Sequence, residues 1–193
     1  MPDAVDLAAR LRQAAVKIKA GTEVAGLASL LEQAAALLAP ADNMPDHAHE
    51  PLPGLAAGHH QSLILEADGG SRGNPGPSGA GAVLLNSNGE VVCQMKKFLG
   101  RTTNNVAEYQ GLLMGLGAAL QAGAERLEVR LDSELLVKQL NGAYQVRSPH
   151  LKPLYEQARR LLSGFAYAEV KHIPRERNSL ADALANQAMD AGE

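Results

Sequence analysis

Four carboxylates, Asp68, Glu108, Asp132 and Asp182, lie 40, 24 and 50 positions apart in a chain of 193 residues. Each has an ordinary structural use. Asp68 precedes Gly69-Gly70, where an aspartate bonds to backbone N–H groups of a turn. Glu108 follows Asn105 by three, and Asp182 follows Ser179 by three, the spacing of a helix capping box. Asp132 stands before Ser133 and suits a helix N-cap. Gathered at one place, the same four groups would do something else. Carboxylates packed within a few ångströms repel one another and resist ionising until a cation is supplied. An all-oxygen ligand set without cysteine or obligatory histidine favours Mg²⁺ or Mn²⁺ over zinc. Two such ions activate a water and stabilise the leaving oxygen in an in-line phosphoryl displacement.

The elements that must position these acids can be read from periodicity. SLILEAD, GAGAVLLN and EVVCQMKKFLG alternate or run apolar as three strands, with Asn86–Gly89 (NSNG) giving hairpin-turn chemistry between the last two. Residues 104–122 read as a helix, RLEVRLD as a fourth strand, and 133–140 and 149–163 as further helices. FAYAEVKHI reads as a fifth strand and 179–189 as a closing helix. Three strands in hairpin order, then alternating helix and strand, predict an α/β fold with a five-stranded mixed sheet flanked by helices. Asp68 then ends the first strand and Asp132 the fourth. Parallel and adjacent, those strands would deliver both carboxylates to the edge where open α/β sheets place ligands. Glu108 and Asp182 would each fall in the first turn of a helix.

Ahead of this domain, residues 4–19 and 23–39 repeat apolar residues every three or four positions around Gly21-Thr22, predicting a helical hairpin over 1–39. Two helices of that size leave a face to bury, so a partner surface is expected, either another copy in a homodimer through residues 1–39 or the main domain. Residues 40–61 are rich in proline, aspartate and histidine without periodicity and predict a linker. His47, His49, His59 and His60 have no spacing that fixes a metal geometry there. The catalytic domain is expected over 62–190. Net charge is −3, but residues 1–60 hold four Lys/Arg against seven Asp/Glu, and the remainder holds fourteen of each. Sequestering four of those later acids around cations leaves a mildly basic surface that permits phosphate binding. The single cysteine, Cys93, points to a reducing compartment. No apolar run approaches the roughly 18–20 residues of a membrane span, and the opening residues lack a secretion-signal pattern. A soluble cytoplasmic protein is expected.

DGGSRGNPGPSGAGAVL, RTTNNVAEYQGLLMGL, LDSELLVKQL and VKHIPRERNSLADALANQA together resemble the type 1 ribonuclease H family in order, spacing and content, over roughly residues 62–190. The resemblance implies endonucleolytic cutting of the RNA strand of an RNA–DNA hybrid, leaving 3′-hydroxyl and 5′-phosphate ends. It maps the metal-binding carboxylates onto Asp68, Glu108, Asp132 and Asp182, with two Mg²⁺ ions and Mn²⁺ as the alternative. Asp68 and Asp132 would lie nearest the shared metal position, Glu108 on the leaving-group side and Asp182 beside the attacking water. Gly69, Asn74 and Asn104 match substrate-contacting positions, and Arg101 and Thr103 resemble a phosphate pocket for the DNA strand. His172, ten residues before Asp182, matches a mobile histidine that assists product release or proton movement. The flanking IPRERN departs from the longer glycine-containing loop of several relatives, so Arg175 or Arg177 is an alternative for that role. Glu66 alternates with Asp68 on one strand face and could support the site from behind.

Two departures bear on grip. Well-studied relatives insert a basic, tryptophan-bearing protrusion after the Asp132 helix; here QVRSPHLK bridges that gap and the chain has no tryptophan. Binding by stacking and positive charge should be weaker. Residues 1–60 also do not resemble the glycine- and aromatic-rich hybrid-binding module that some relatives carry. Double-stranded RNA is a second candidate substrate. GNPGP lacks the lysine-serine ending of a phosphate-binding P-loop. A same-fold 3′–5′ exonuclease would usually carry D-x-E on its first strand, whereas Glu66-Ala-Asp68 runs in reverse. A catalytically silent hybrid-binding domain would have no need of four mutually repelling acids.

Overall fold

The computed structural model describes residues 62–192; the hairpin expected over 1–39 and the linker over 40–61 lie outside the described residues. Five strands, β1 (Ser62–Ser71), β2 (Gly76–Leu85), β3 (Val91–Thr102), β4 (Arg126–Leu131) and β5 (Tyr167–His172), form one sheet in the order β3-β2-β1-β4-β5. The first three pair antiparallel, while β1–β4 and β4–β5 are parallel. Helix α1 (Asn104–Gln121) joins β3 to β4, α2 (Glu134–Leu140) and α3 (Lys152–Leu162) join β4 to β5, and α4 (Ser179–Asp190) closes the fold. The mixed five-stranded α/β architecture expected from periodicity is the one observed. Among the described residues no helix is long and apolar enough to cross a membrane.

Strand alternation splits the core. Leu63, Leu65 and Ala67 join Leu112 and Leu116 of α1 in the main cluster, while Ile64 packs with Val83, Leu85 and Leu184 of α4 in a smaller one. Burial of each leucine contributes about 1.5–3 kcal/mol. The Asn86–Gly89 turn forms as expected: Asn86 Oδ1 accepts from the N–H groups of Asn88 and Glu90, and Gly89 takes a φ of +81°.

One boundary differs in a way that matters. Asp68 does not end β1. The strand continues through Gly69 and Gly70 to Ser71, paired with Ala80, Gly79 and Ser78 of β2, and the turn falls at 72–75, where Arg72 N–H donates to Pro77 O (2.8 Å). The glycines serve close packing instead of a bend. A Cβ on Gly69 would sit 2.1 Å from the backbone carbon of Ala107, and one on Gly111 would sit 2.3 Å from the carbonyl oxygen of Asp68. Backbone therefore meets backbone where α1 crosses β1. The helix expected from residue 149 starts at Lys152, because Ser148 O first captures the N–H groups of Leu151 and Lys152 in a turn.

Candidate active site

Pairing of β1 with β4 stops at Glu66↔Arg130, and two further steps in the same register bring Asp68 opposite Asp132. β4 ends at Leu131, so Asp132 is the first residue past it. The Gly69–Ala107 contact sets the start of α1, and with it Glu108, against the same part of β1. Asp182 arrives from the first turn of α4. All four carboxylates line one cavity of about 120 Å³, with Gly69, Asn104 and Arg175 also in its wall.

None of the local capping uses materialises. Thr103 caps α1, its hydroxyl accepting from Val106 N–H, which puts Glu108 beyond the first turn, not in it as expected. Glu108 instead accepts from Asn104 Nδ2 (2.9 Å) and from Ser133 Oγ (2.8 Å). Ser133, not Asp132, caps α2. Asp132 Oδ1 accepts from Asn178 Nδ2 at 2.8 Å. Ser179 is the first helical residue of α4, so no capping box links it to Asp182. Asp182 accepts from Arg175 Nη2 (2.6 Å) and from Asn186 Nδ2 (3.1 Å). Local pattern offered three of the acids a cap, and each took other partners: distant ones for Asp132 and, through Ser133, for Glu108, and Arg175 and Asn186 for Asp182.

Asp68 lacks such help. Its carboxyl is pushed up to about 7, first by burial and then by the charges of Asp132, Asp182 and Glu108, with only the Gly69 N–H pulling it down. Burial, with the charge of Asp132, also raises Glu108 against the opposing bonds from Ser133 and Asn104. A buried acid held near neutral pH by its neighbours marks a site short of positive charge. The all-oxygen donors suit a hard divalent ion. Among the described residues no three His, Cys, Asp or Glu side chains stand together as a ready ligand set for one ion.

Of the residues expected to meet nucleic acid, Gly69 and Asn104 line this cavity, and Asn74 is joined to Asn104. Asn104 N–H donates to Asn74 Oδ1 at 3.3 Å, docking the GNPG loop on the start of α1, while the Asn104 side chain holds Glu108. Arg101, near the end of β3, is exposed and makes a long 3.5 Å bond to Pro75 O. Thr103 serves as the cap already described. Gly69 is buried under α1. His172 Nε2 lies 3.2 Å from the backbone oxygen of Asp132, and the histidine does not line the cavity, whereas Arg175 does. Glu66 is engaged elsewhere, 3.5 Å from Arg130.

A family model described as reverse transcriptase-like matches residues 66–188. Over 130 residues the chain is 49% identical to a bifunctional protein of Mycobacterium tuberculosis, spanning 67% of this chain and 36% of that protein. The N-terminal ribonuclease H domain of that protein, solved as a fusion with maltose binding protein, gives a TM-score of 0.66 over 67% of this chain and 94% of that one, at 49% identity. Ribonuclease H1 from the archaeon Halobacterium salinarum gives 0.66 at 44% identity, over 67% of this chain and 98% of its own. The chain belongs to the ribonuclease H family. In sequence, the Halobacterium ribonuclease HI is 46% identical over 123 residues, covering 64% of this chain and 62% of that protein. A further ribonuclease H1, LC11, was solved in complex with an RNA/DNA hybrid; it gives 0.65 at 38% identity, over 67% of this chain and 98% of its own.

Within this ribonuclease H domain, sequence reading missed Asn178. It is fully buried, and its Nδ2 group bridges Ala67 O (3.0 Å) and Asp132 Oδ1, tying β1, the end of β4 and the start of α4 together. Its own Oδ1 has no partner among the described residues. The two acceptors fix the orientation, because a flipped amide would face both with oxygen. An asparagine just before a helix carries no local signal beyond the ordinary preference for that position. Ser133 was missed for a similar reason, since its hydroxyl serves both the α2 cap and Glu108.

Proposed function

We propose that the chain hydrolyses the RNA strand of RNA–DNA hybrids at internal positions, leaving 5′-phosphate and 3′-hydroxyl ends. The observation that carries this reading is the single cavity holding Asp68, Glu108, Asp132 and Asp182, with Asp68 raised to about 7 by burial and its acidic neighbours. Asp68, Glu108, Asp132 and Asp182 would hold two divalent ions, Mg²⁺ or Mn²⁺, with Asp68 and Asp132 nearest the shared position, Glu108 on the leaving-group side and Asp182 on the side of the attacking water. Bound there, such ions supply an activated water and charge neutralisation on the leaving oxygen.

The chain's own residues prepare that chemistry. Asn178 fixes the Asp132 carboxylate, and Ser133 with Asn104 fixes that of Glu108, so these two acids are held in place before the site fills. Asn74 and Asn104, joined across the loop, stand where amide groups can meet a 2′-hydroxyl, the group that separates RNA from DNA. Arg101 offers an exposed cation for a phosphate of the DNA strand. The single cysteine, free and buried, suits activity in the reducing cytoplasm.

The test is cleavage of an end-labelled hybrid with Mg²⁺, Mn²⁺ or chelator, beside double-stranded RNA and junction substrates. Internal cuts in the RNA strand that need metal support the reading; trimming from an end, or binding without cutting, overturns it. Asp68→Asn should abolish cleavage while hybrid binding survives. Normal turnover in that variant would remove Asp68 from the site.

A further inference from the structure

Among the described residues, Arg175 is the only cation lining the carboxylate cavity. It stands on the short 3-10 turn Arg175–Arg177, whose backbone is held by Arg177 N–H to Pro174 O (2.9 Å) and Asn178 N–H to Arg175 O (2.9 Å). The side chain is far less constrained. It is 73% exposed, and among the described residues its one hydrogen-bonding partner is Asp182 Oδ1, at 2.6 Å. Asn186 occupies the other carboxylate oxygen, so both oxygens of Asp182 are engaged by protein. The Asp182 bond raises Arg175 above the ordinary guanidinium range, and the charges of Asp68 and Asp132 add to it.

We propose that the Arg175 guanidinium is the resident counter-ion of the metal-free site, and that it sets metal affinity because it must leave Asp182 before a divalent ion can be ligated there. The inference rests on the reading of the four carboxylates as ion ligands and goes beyond it to a residue that is not itself a ligand. Three observations carry it. Asp182 Oδ1 accepts from the arginine at 2.6 Å, in the cavity shared with the other three acids. The ion pair is exposed on the arginine side, hence weak enough to be displaced. Arginine remains charged at every working pH, so it neutralises the cavity without titrating. Asn186, a neutral donor, does not repel an incoming cation. Arg175 both occupies the oxygen and opposes the ion's charge.

The test is a Mg²⁺ titration of the full chain followed by ¹H–¹⁵N NMR shifts of the residues around the cavity, comparing the unaltered protein with Arg175→Gln and Arg175→Lys. Arg175→Gln should bind Mg²⁺ about three- to tenfold more tightly, the range expected for removing one exposed competing cation. Without metal at pH 8 the same variant should melt at a lower temperature, and Mg²⁺ should close the gap. Arg175→Lys keeps a charge but not the planar fork, and should fall between the two. Equal or weaker Mg²⁺ binding by Arg175→Gln, with the shift pattern of a folded protein retained, overturns the proposal. Absence of any Mg²⁺-dependent shift around Asp68 and Asp182 in all three proteins overturns the ligand assignment and this inference with it. Retained binding with no difference between variants sinks the inference alone.

Discussion

Replacing Asp68 by asparagine should make the metal-free protein more stable, by an amount that depends on pH in a calculable way. The folded carboxyl titrates at about 7, against 3.8 for the ordinary group. Between those values the folded protein keeps a proton that the unfolded chain has released. The resulting penalty is therefore absent below about pH 4, grows through the interval, and is complete above pH 7. At 1.36 kcal/mol per unit, the ceiling is about 4 kcal/mol at pH 8 and about 1.7 kcal/mol at pH 5. Asparagine has the same shape, can still accept the Gly69 N–H, and carries no charge for Asp132, Asp182 and Glu108 to oppose. Urea unfolding in chelator should show the variant gaining about 2–4 kcal/mol at pH 8 and less than half of that at pH 5. Adding Mg²⁺ should then stabilise the unaltered protein by mass action and leave the variant nearly unmoved. A variant less stable than the parent at pH 8, or a gain that ignores pH, would refute the claim that these acids burden one another.

Asn178→Ala strips the donor from Ala67 O and Asp132 Oδ1, so urea unfolding should record a loss of about 2–3 kcal/mol. Hybrid cleavage should fall while hybrid affinity, measured by filter binding, changes little. Asn178→Asp should be worse, since it sets oxygen against both acceptors. Gly69→Ala forces a Cβ to within 2.1 Å of the α1 backbone and should cost about 3 kcal/mol or more in thermal or urea unfolding, the upper end of overpacking effects. Removing residues 1–60 should turn a self-associated species into monomers by light scattering; an unchanged assembly would dismiss the association expected of the hairpin.

The sheet was legible because its strands announce themselves by alternation and because Asn86–Gly89 has turn chemistry that works within four residues. The four acids were legible as a set, through their places at the ends and starts of elements, even though Asp68 alone looked like a turn residue and each of the others like a cap. What sequence could not yield were bonds between residues that no local rule connects. Asn178 reaches Ala67 across 111 positions and Asp132 across 46. Ser133 reaches Glu108 across 25. Gly69-Gly70 read as a bend because glycine usually marks one, yet β1 runs on through both, and the small size of Gly69 lets it pass beneath α1. The end of β1 was misplaced for that reason, and Glu108 moved out of the first turn because Thr103 took the cap.

The distribution of donors explains why the charge burden falls on one residue. Glu108 has Asn104 and Ser133, Asp132 has Asn178, and Asp182 has Arg175 and Asn186, while Asp68 has a single backbone N–H among the described residues. A site satisfied throughout by protein donors would be stable and would have no reason to take up a cation. One left bare throughout would neutralise itself by binding protons. Holding three carboxylates in place and leaving the central one short of partners keeps the ligands oriented and preserves a demand for positive charge at Asp68. Adding a donor there should weaken that demand. Gly70 lines the same cavity as Asp68, and a hydroxyl brought there by Gly70→Ser to donate to the Asp68 carboxylate should lower its pKa and reduce Mg²⁺ affinity together. If NMR titration showed one moving without the other, metal binding would not be driven by the unmet charge at Asp68.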